Sequence, residues 1–290
     1  MSERSSDEIL ELARQRIAAR NAEQMPEHDT SERLWRFALM GLFGALLLGL
    51  LAWPGMPLDR KMYSVVHGVC AQIHNVQVGG LDLPLCARNT GIYSSYLITT
   101  GYLLLLGRSR AAKLPHWSIL IVLALFVVVM AIDGFNSMLV DMFMPHLYTP
   151  QNWLRTLTGI GMGISIATMM LLILNVSLRQ NADTQQRVLG GWRELIGAVL
   201  VNALVWVAIY GNIGVMYWPL AIVAWLGITG VLYSVNVLLT ALFMHYEGRV
   251  SRIGQLAKPA SIALIFTLIE LGGLSAVRFW LESQGMIAGL

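Results

Sequence analysis

The chain has 290 residues, of which 56% are hydrophobic and 13% charged, with a mean hydropathy of +0.61; water-soluble domains carry about 25% charged residues. That balance excludes a solvated globule. The net charge of +3 does not call for a nucleic-acid partner, because the basic residues fall between apolar runs, where they orient a membrane protein.

Residues 1–34 are polar and lack the apolar core of a signal peptide, so they are expected to form a cytoplasmic amphipathic tail. Ser5 and Glu8 have capping-box spacing, and Ile9, Leu12, Ala13 and Ile17 recur at helical intervals opposite Arg14, Arg16 and Arg20. Such a helix is either a solvated tail or a docking surface for a membrane-complex partner.

Apolar runs follow at 36–54, 90–107, 117–136, 156–177, 195–213, 217–244 and 260–281. Each approaches the ~20 residues needed to cross about 30 Å of hydrocarbon. Each is read as a helix, because a lone strand leaves its backbone unsatisfied in lipid. The division between the fifth and sixth runs rests on Gly211, Asn212 and Gly214. With the N-terminus inside, the cytoplasmic segments hold Arg4, Arg14, Arg16, Arg20, Arg33 and Arg36, then Arg108, Arg110 and Lys113, then Arg179, Arg187 and Arg193, then Arg249, Arg252 and Lys258. Only Arg60, Lys61, Arg88, Arg155 and Arg278 fall on the outer side, the bias that the positive-inside rule demands. The pattern predicts an all-α integral membrane protein of about seven transmembrane helices in a prokaryotic cytoplasmic membrane. Its parts are the tail at 1–34, a four-helix membrane core at 35–178 with an outer Cys/Arg loop, and three further transmembrane helices at 179–290.

The first outer loop carries a hairpin signal, since Val76 to Val78 and Leu81 to Leu83 alternate about Gly79-Gly80. Pairing Val78 with Leu81 would set Ile73 opposite Cys86 and bring Cys70 and His74 near it. Three readings of the cysteines stand open: a Cys70–Cys86 disulfide in an oxidising compartment, a metal site from His67, Cys70, His74 and Cys86 without a paired Cys-x-x-Cys, and buried free thiols.

Further along, Arg88 opens the second span and Asp133 closes the third on the same outer side, followed by Asn136. Asn152, Arg155 and Thr158 open the fourth. These residues are expected to share a pocket. It is either an Asp–Arg tie between helix ends or an anion site using guanidinium groups and helix N-termini, with Asn136, Asn152 and Tyr93 in support. Gly159, Gly161 and Gly163 read as small residues for close helix packing. Glu270, near the middle of the seventh span, is a candidate for proton coupling or ligand contact, or else a glutamate bonded to Asn202 or Asn236.

The segment Leu83-Pro-Leu-Cys86-Ala-Arg88-Asn-Thr-Gly91-Ile-Tyr93, with Cys70 and Gln72 before it, and Asp133-Gly134 and Asn152 to Gly159 after it, resembles a family of prokaryotic predicted membrane proteins catalogued as a domain of unknown function. The resemblance covers about residues 63–178 and implies no activity or cofactor. In that family a His follows the first Cys, whereas Ala71 stands there in this chain, which weakens the metal reading. Three functions are therefore carried forward: binding or handling an anionic small molecule or membrane lipid at the outer interface, with transport as an extension through Glu270; metal- or thiol-dependent chemistry at Cys70, His74 and Cys86; and an accessory subunit of a membrane complex. Signatures for nucleotide binding, serine hydrolysis, haem attachment and zinc proteolysis are missing from the sequence.

Overall fold

The computed structural model describes residues 28–70 and 74–286; the expected amphipathic tail helix lies outside the described residues. Long helices form wherever the apolar runs predict them. These are α1 (His28–Ala52), α3 (Ala87–Leu105), α4 (Trp117–Asp141), α5 (Asn152–Leu178), α6 (Trp192–Tyr210), α7 (Tyr217–Phe243) and α8 (Ala257–Ser283), with a short unforeseen α2 (Leu58–Val66) after the first. Six of the long helices have the length and apolarity to cross a membrane. The expected seventh, α3, does not meet that standard, and its surroundings explain why.

Helix α3 is the centre of the bundle, packed chiefly between α5 and α7. Lipid does not dictate its composition, so it carries Thr90, Ser94, Ser95 and Thr99, all buried. The hydroxyl groups of Thr90, Ser94 and Ser95 turn to backbone carbonyls, and Thr99 Oγ1 accepts from Asn202 Nδ2, as buried polar groups must find partners. Thr90 donates to Leu85 at 3.1 Å, and Ser95 reaches across to the Ile160 carbonyl of α5 at 3.0 Å. The approach of α5 to α3 depends on glycine. A Cβ at Gly159 would overlap the Arg88 carbonyl, one at Gly91 the Thr156 carbonyl, and one at Gly163 the Ile92 carbonyl and Ser95 Oγ. Gly161 instead faces the Phe126 ring of α4. The expected role of these glycines in close packing is met, since neighbouring backbones can approach this closely only where no Cβ intervenes.

The helices run between two ends. At one end lie the hairpin, Asp141 (reached by His74), Asn152 (bonded to Asn75), Asn212 (bonded to Gly79) and Tyr217 (bonded to Asp82). The opposite end gathers Arg36 beside Gly254, Lys258 over Trp35, and Arg108 paired with Glu194. The division expected at Gly211 is real. Helix α6 ends at Tyr210, and Asn212 takes a positive φ of 50° and accepts a hydrogen bond from Gly79 N–H at 2.7 Å before α7 begins. Helix α1 lies at the periphery with none of its apolar window buried, touching α7 through an edge contact between Phe43 and Tyr233 at 5.9 Å.

The hairpin pairs β1 (Asn75–Val78) with β2 (Leu81–Cys86) through Gly79 and Gly80, whose φ values of 61° and 81° suit a tight primed turn. Val78 pairs with Leu81 as expected, but Asn75, not Ile73, stands opposite Cys86. The ladder is irregular between Asn75 and Gln77, across from Pro84, which has no N–H to donate. Ile73 itself lies outside the described residues. At the basic end, β3 (Ala111–Lys113) and β4 (Asp183–Arg187) form a small parallel pair. These strands are short and polar, and no hydrophobic alternation announced them.

Candidate functional site

Arg88 and Arg155 each sit in the first turn of a helix, α3 and α5, whose N-termini meet at the hairpin end. Asp133 lies two turns before the end of α4 and faces them. The Arg88 guanidinium embraces it, Nη2 donating to Asp133 Oδ2 at 2.6 Å and Nε to the same oxygen at 3.2 Å. Arg88 Nη2 also donates to the Asp133 carbonyl at 3.1 Å and to Ser137 Oγ at 2.8 Å. Arg155 Nε donates to that same Ser137 oxygen at 3.4 Å, and its Nη1 donates to Asn152 Oδ1 at 3.0 Å. The two guanidinium groups therefore converge on one hydroxyl.

Asp133, 1% exposed, is fully satisfied: Tyr148 donates to Oδ1 at 2.7 Å and Thr158 to Oδ2 at 3.3 Å. Tyr148 stands in the loop between α4 and α5, and its hydroxyl is pushed up to about 12 by burial and by the Asp133 carboxylate it donates to. Arg155, 5% exposed, differs from Arg88. Its assigned partners are neutral oxygens, and among the described residues no carboxylate pairs with it.

Asn152 takes part directly, its Nδ2 donating to the Asn75 carbonyl at 3.2 Å and linking the hairpin to the site. The Asn75 Oδ1 atom is buried without a hydrogen-bond partner among the described residues. Asn136 plays a different part from the one expected. Its amide clamps the outer loop, accepting from Leu147 N–H at 2.7 Å and donating to the Tyr148 carbonyl at 2.8 Å, which sets the Tyr148 ring over Asp133. Tyr93 does not belong to the cluster. It lies round α3 from Arg88, beside Cys70, Cys86 and the α7 backbone, where Gly227 makes room for its carbonyl. Ser137, Thr158, Tyr148 and Asn75 complete the site; the sequence offered only their nearness to the two arginines and Asp133.

The other candidates separate. His67 Nε2 bonds both Glu282 oxygens at 2.9 Å, and its ring stacks on Phe279 at 4.3 Å. His74 faces Asp141 at 3.3 Å. Cys70 and Cys86 are together, with Cys86 N–H donating to Cys70 Sγ at 3.4 Å. Among the described residues no group of three or more His, Cys, Asp or Glu side chains is placed to hold a metal ion. Glu270 is exposed on the outer surface of α8, not enclosed by the bundle, and accepts from Asn236 Nδ2 at 2.8 Å. Asn202 instead donates to Thr99. An open apolar groove of about 650 Å³ runs along α4 from Val128 to Leu139 and under Pro145 and Leu147, on the side of the helix away from Asp133.

Residues 70–169 match the family model described as a predicted membrane protein, DUF2085. The matched stretch holds Cys70, Cys86, Arg88, Asp133 and Arg155 and ends within α5, before α6 begins. The chain has no match among curated proteins or among solved structures.

Proposed function

We propose that this membrane protein binds an anionic group, borne by a small molecule or a lipid headgroup, at its hairpin end, with Arg155 and Arg88 as the cationic contacts. Arg155 carries this conclusion. It is a buried guanidinium beside a second one; Asp133 is already engaged by Arg88, and Asp141, whose charge also acts on Arg155, is exposed, faces His74 and makes no ion pair with Arg155 among the described residues. Burying a charge without a directly paired counter-charge is costly, and an anion supplied from outside lowers that cost. The N-termini of α3 and α5 add their positive dipole ends at the same place. Planar guanidinium groups match the paired oxygens of phosphate and carboxylate.

In this arrangement Asp133 fixes Arg88, Ser137 couples the two guanidinium groups, and Asn152 holds Arg155 toward the hairpin. The basic residues gathered at the opposite end favour a prokaryotic cytoplasmic membrane with the hairpin end outward, so the ligand arrives from the outer side or from the outer leaflet. The test uses the full chain purified in mild detergent. Inorganic phosphate, and vesicles of phosphatidylglycerol or phosphatidylcholine, are titrated against wild type and Arg155→Gln. A preference for phosphatidylglycerol or phosphate that falls at least tenfold in Arg155→Gln supports the assignment. Equal binding by the two proteins, both folded, overturns it.

A further inference from the structure

Cys70 and Cys86 are the two cysteines of the chain, and the fold places them side by side. Cys86 ends β2 and stands at the N-cap of α3. Cys70 is buried 16 residues earlier, its Sγ 3.4 Å from the Cys86 backbone nitrogen. Neither strand register nor helix packing alone explains this meeting. The Cys70 segment is held from the far end of the sequence: Arg278 of α8 donates to the carbonyls of Cys70 and His67, while Glu282 binds both Arg278 and His67. Cys86 is fixed by the pairing of its strand with Asn75, and the next residue, Ala87, donates to the His74 carbonyl at 2.9 Å.

The compartment follows from one crossing. Arg4, Arg14, Arg16, Arg20, Arg33 and Arg36 all precede or open α1, and a single long helix separates them from the hairpin. The positive-inside rule then puts both thiols on the exocytoplasmic side, where disulfides form and persist.

We propose that Cys70 and Cys86 are joined by a disulfide in the mature protein, formed during folding by exchange with the disulfide of an exocytoplasmic thiol oxidase. The Cys86 thiolate, the less buried of the two, attacks one sulfur of the oxidase disulfide and releases that protein's first thiol. The Cys70 thiolate then attacks the Cys86 sulfur of the mixed disulfide and releases the second. Two electrons and two protons pass to the oxidase, which leaves as a dithiol. The bond ties the N-terminus of α3, two residues before Arg88, to the segment anchored by α8. It does not depend on the anion proposal.

The test begins with the wild-type chain. Membranes containing the full chain are lysed directly into denaturant with N-ethylmaleimide, and intact mass is measured with and without prior reduction. The expected result is no adduct before reduction and two afterwards, with Cys70→Ser and Cys86→Ser each retaining one thiol. Two adducts without reduction, or a mixed disulfide with a small thiol, overturns the proposal. If the bond forms, reduction of the folded wild type lowers its melting temperature, and the Cys70→Ser/Cys86→Ser double variant shows no such response.

Discussion

Asp133 and Arg155 are both buried at the same cluster, yet their removal should have opposite consequences. Asp133→Ala takes the carboxylate from under Arg88 and leaves two guanidinium groups facing each other, so the folded state should lose about 3 kcal/mol. Thermal unfolding in detergent reads this directly. Arg155→Gln removes a charge that no carboxylate pairs with directly among the described residues and that repels Arg88, so the ligand-free protein should be about as stable as wild type while ligand-induced stabilisation disappears. Tyr148 gives a pH signature. Its hydroxyl pKa is raised from 10.0 to about 12, so its contribution is complete below pH 10 and is lost as pH rises through 12. Stability measured across that window should fall more steeply in wild type than in Tyr148→Phe. The two arginines and Asp133 were legible as a group because each sits beside a recognisable helix end. Tyr93 was not separable from them, since whether a side chain points to α5 or to α7 depends on which neighbour α3 turns toward each.

Among the elements, α3 and α5 form the tightest contact, and it is made of glycine. Gly163→Ala would drive a methyl group into the Ile92 carbonyl and Ser95 Oγ, and the carbonyl cannot retreat without moving a helix. Overpacking of this kind costs about 1–3 kcal/mol. Gly101→Ala, on the partner helix α3 with nothing within 4 Å of the added atom, should stay within about 1 kcal/mol of wild type and gain from helix propensity. Comparing the two melting temperatures separates close approach from any general intolerance of alanine in this helix pair. Periodicity and length made the long helices legible, and the glycine spacing made their close packing legible. The hairpin register was harder to read, because alternation sets which face is buried but cannot show where a proline interrupts the ladder. The pair β3 and β4 left no trace, for β4 is polar and β3 is a three-residue strand that buries only Ala111.

For the whole molecule, the charge pattern and the fold point to one orientation. With each placed in a cysteine-free background, Gln77→Cys in the hairpin should react with a membrane-impermeant maleimide in intact cells, and Thr184→Cys in β4 only after the cells are permeabilised. Labelling of both from the same side would require redrawing the chain's path. Charge bias makes an orientation easier to read than a crossing by α3, because hydropathy registers contact with lipid and α3 packs mainly against α5 and α7. Enclosure of that kind also sets a schedule for synthesis. Helix α3 is complete at Leu105, but its partner α7 is not complete until Phe243, a delay on the order of ten seconds at ordinary elongation rates. During that interval a segment too polar to rest alone in lipid must be kept by the insertion machinery or shielded by α5, whose glycines arrive first. The pairing of α3 with α5 is therefore expected to come first, with α7 closing over the central helix only afterwards.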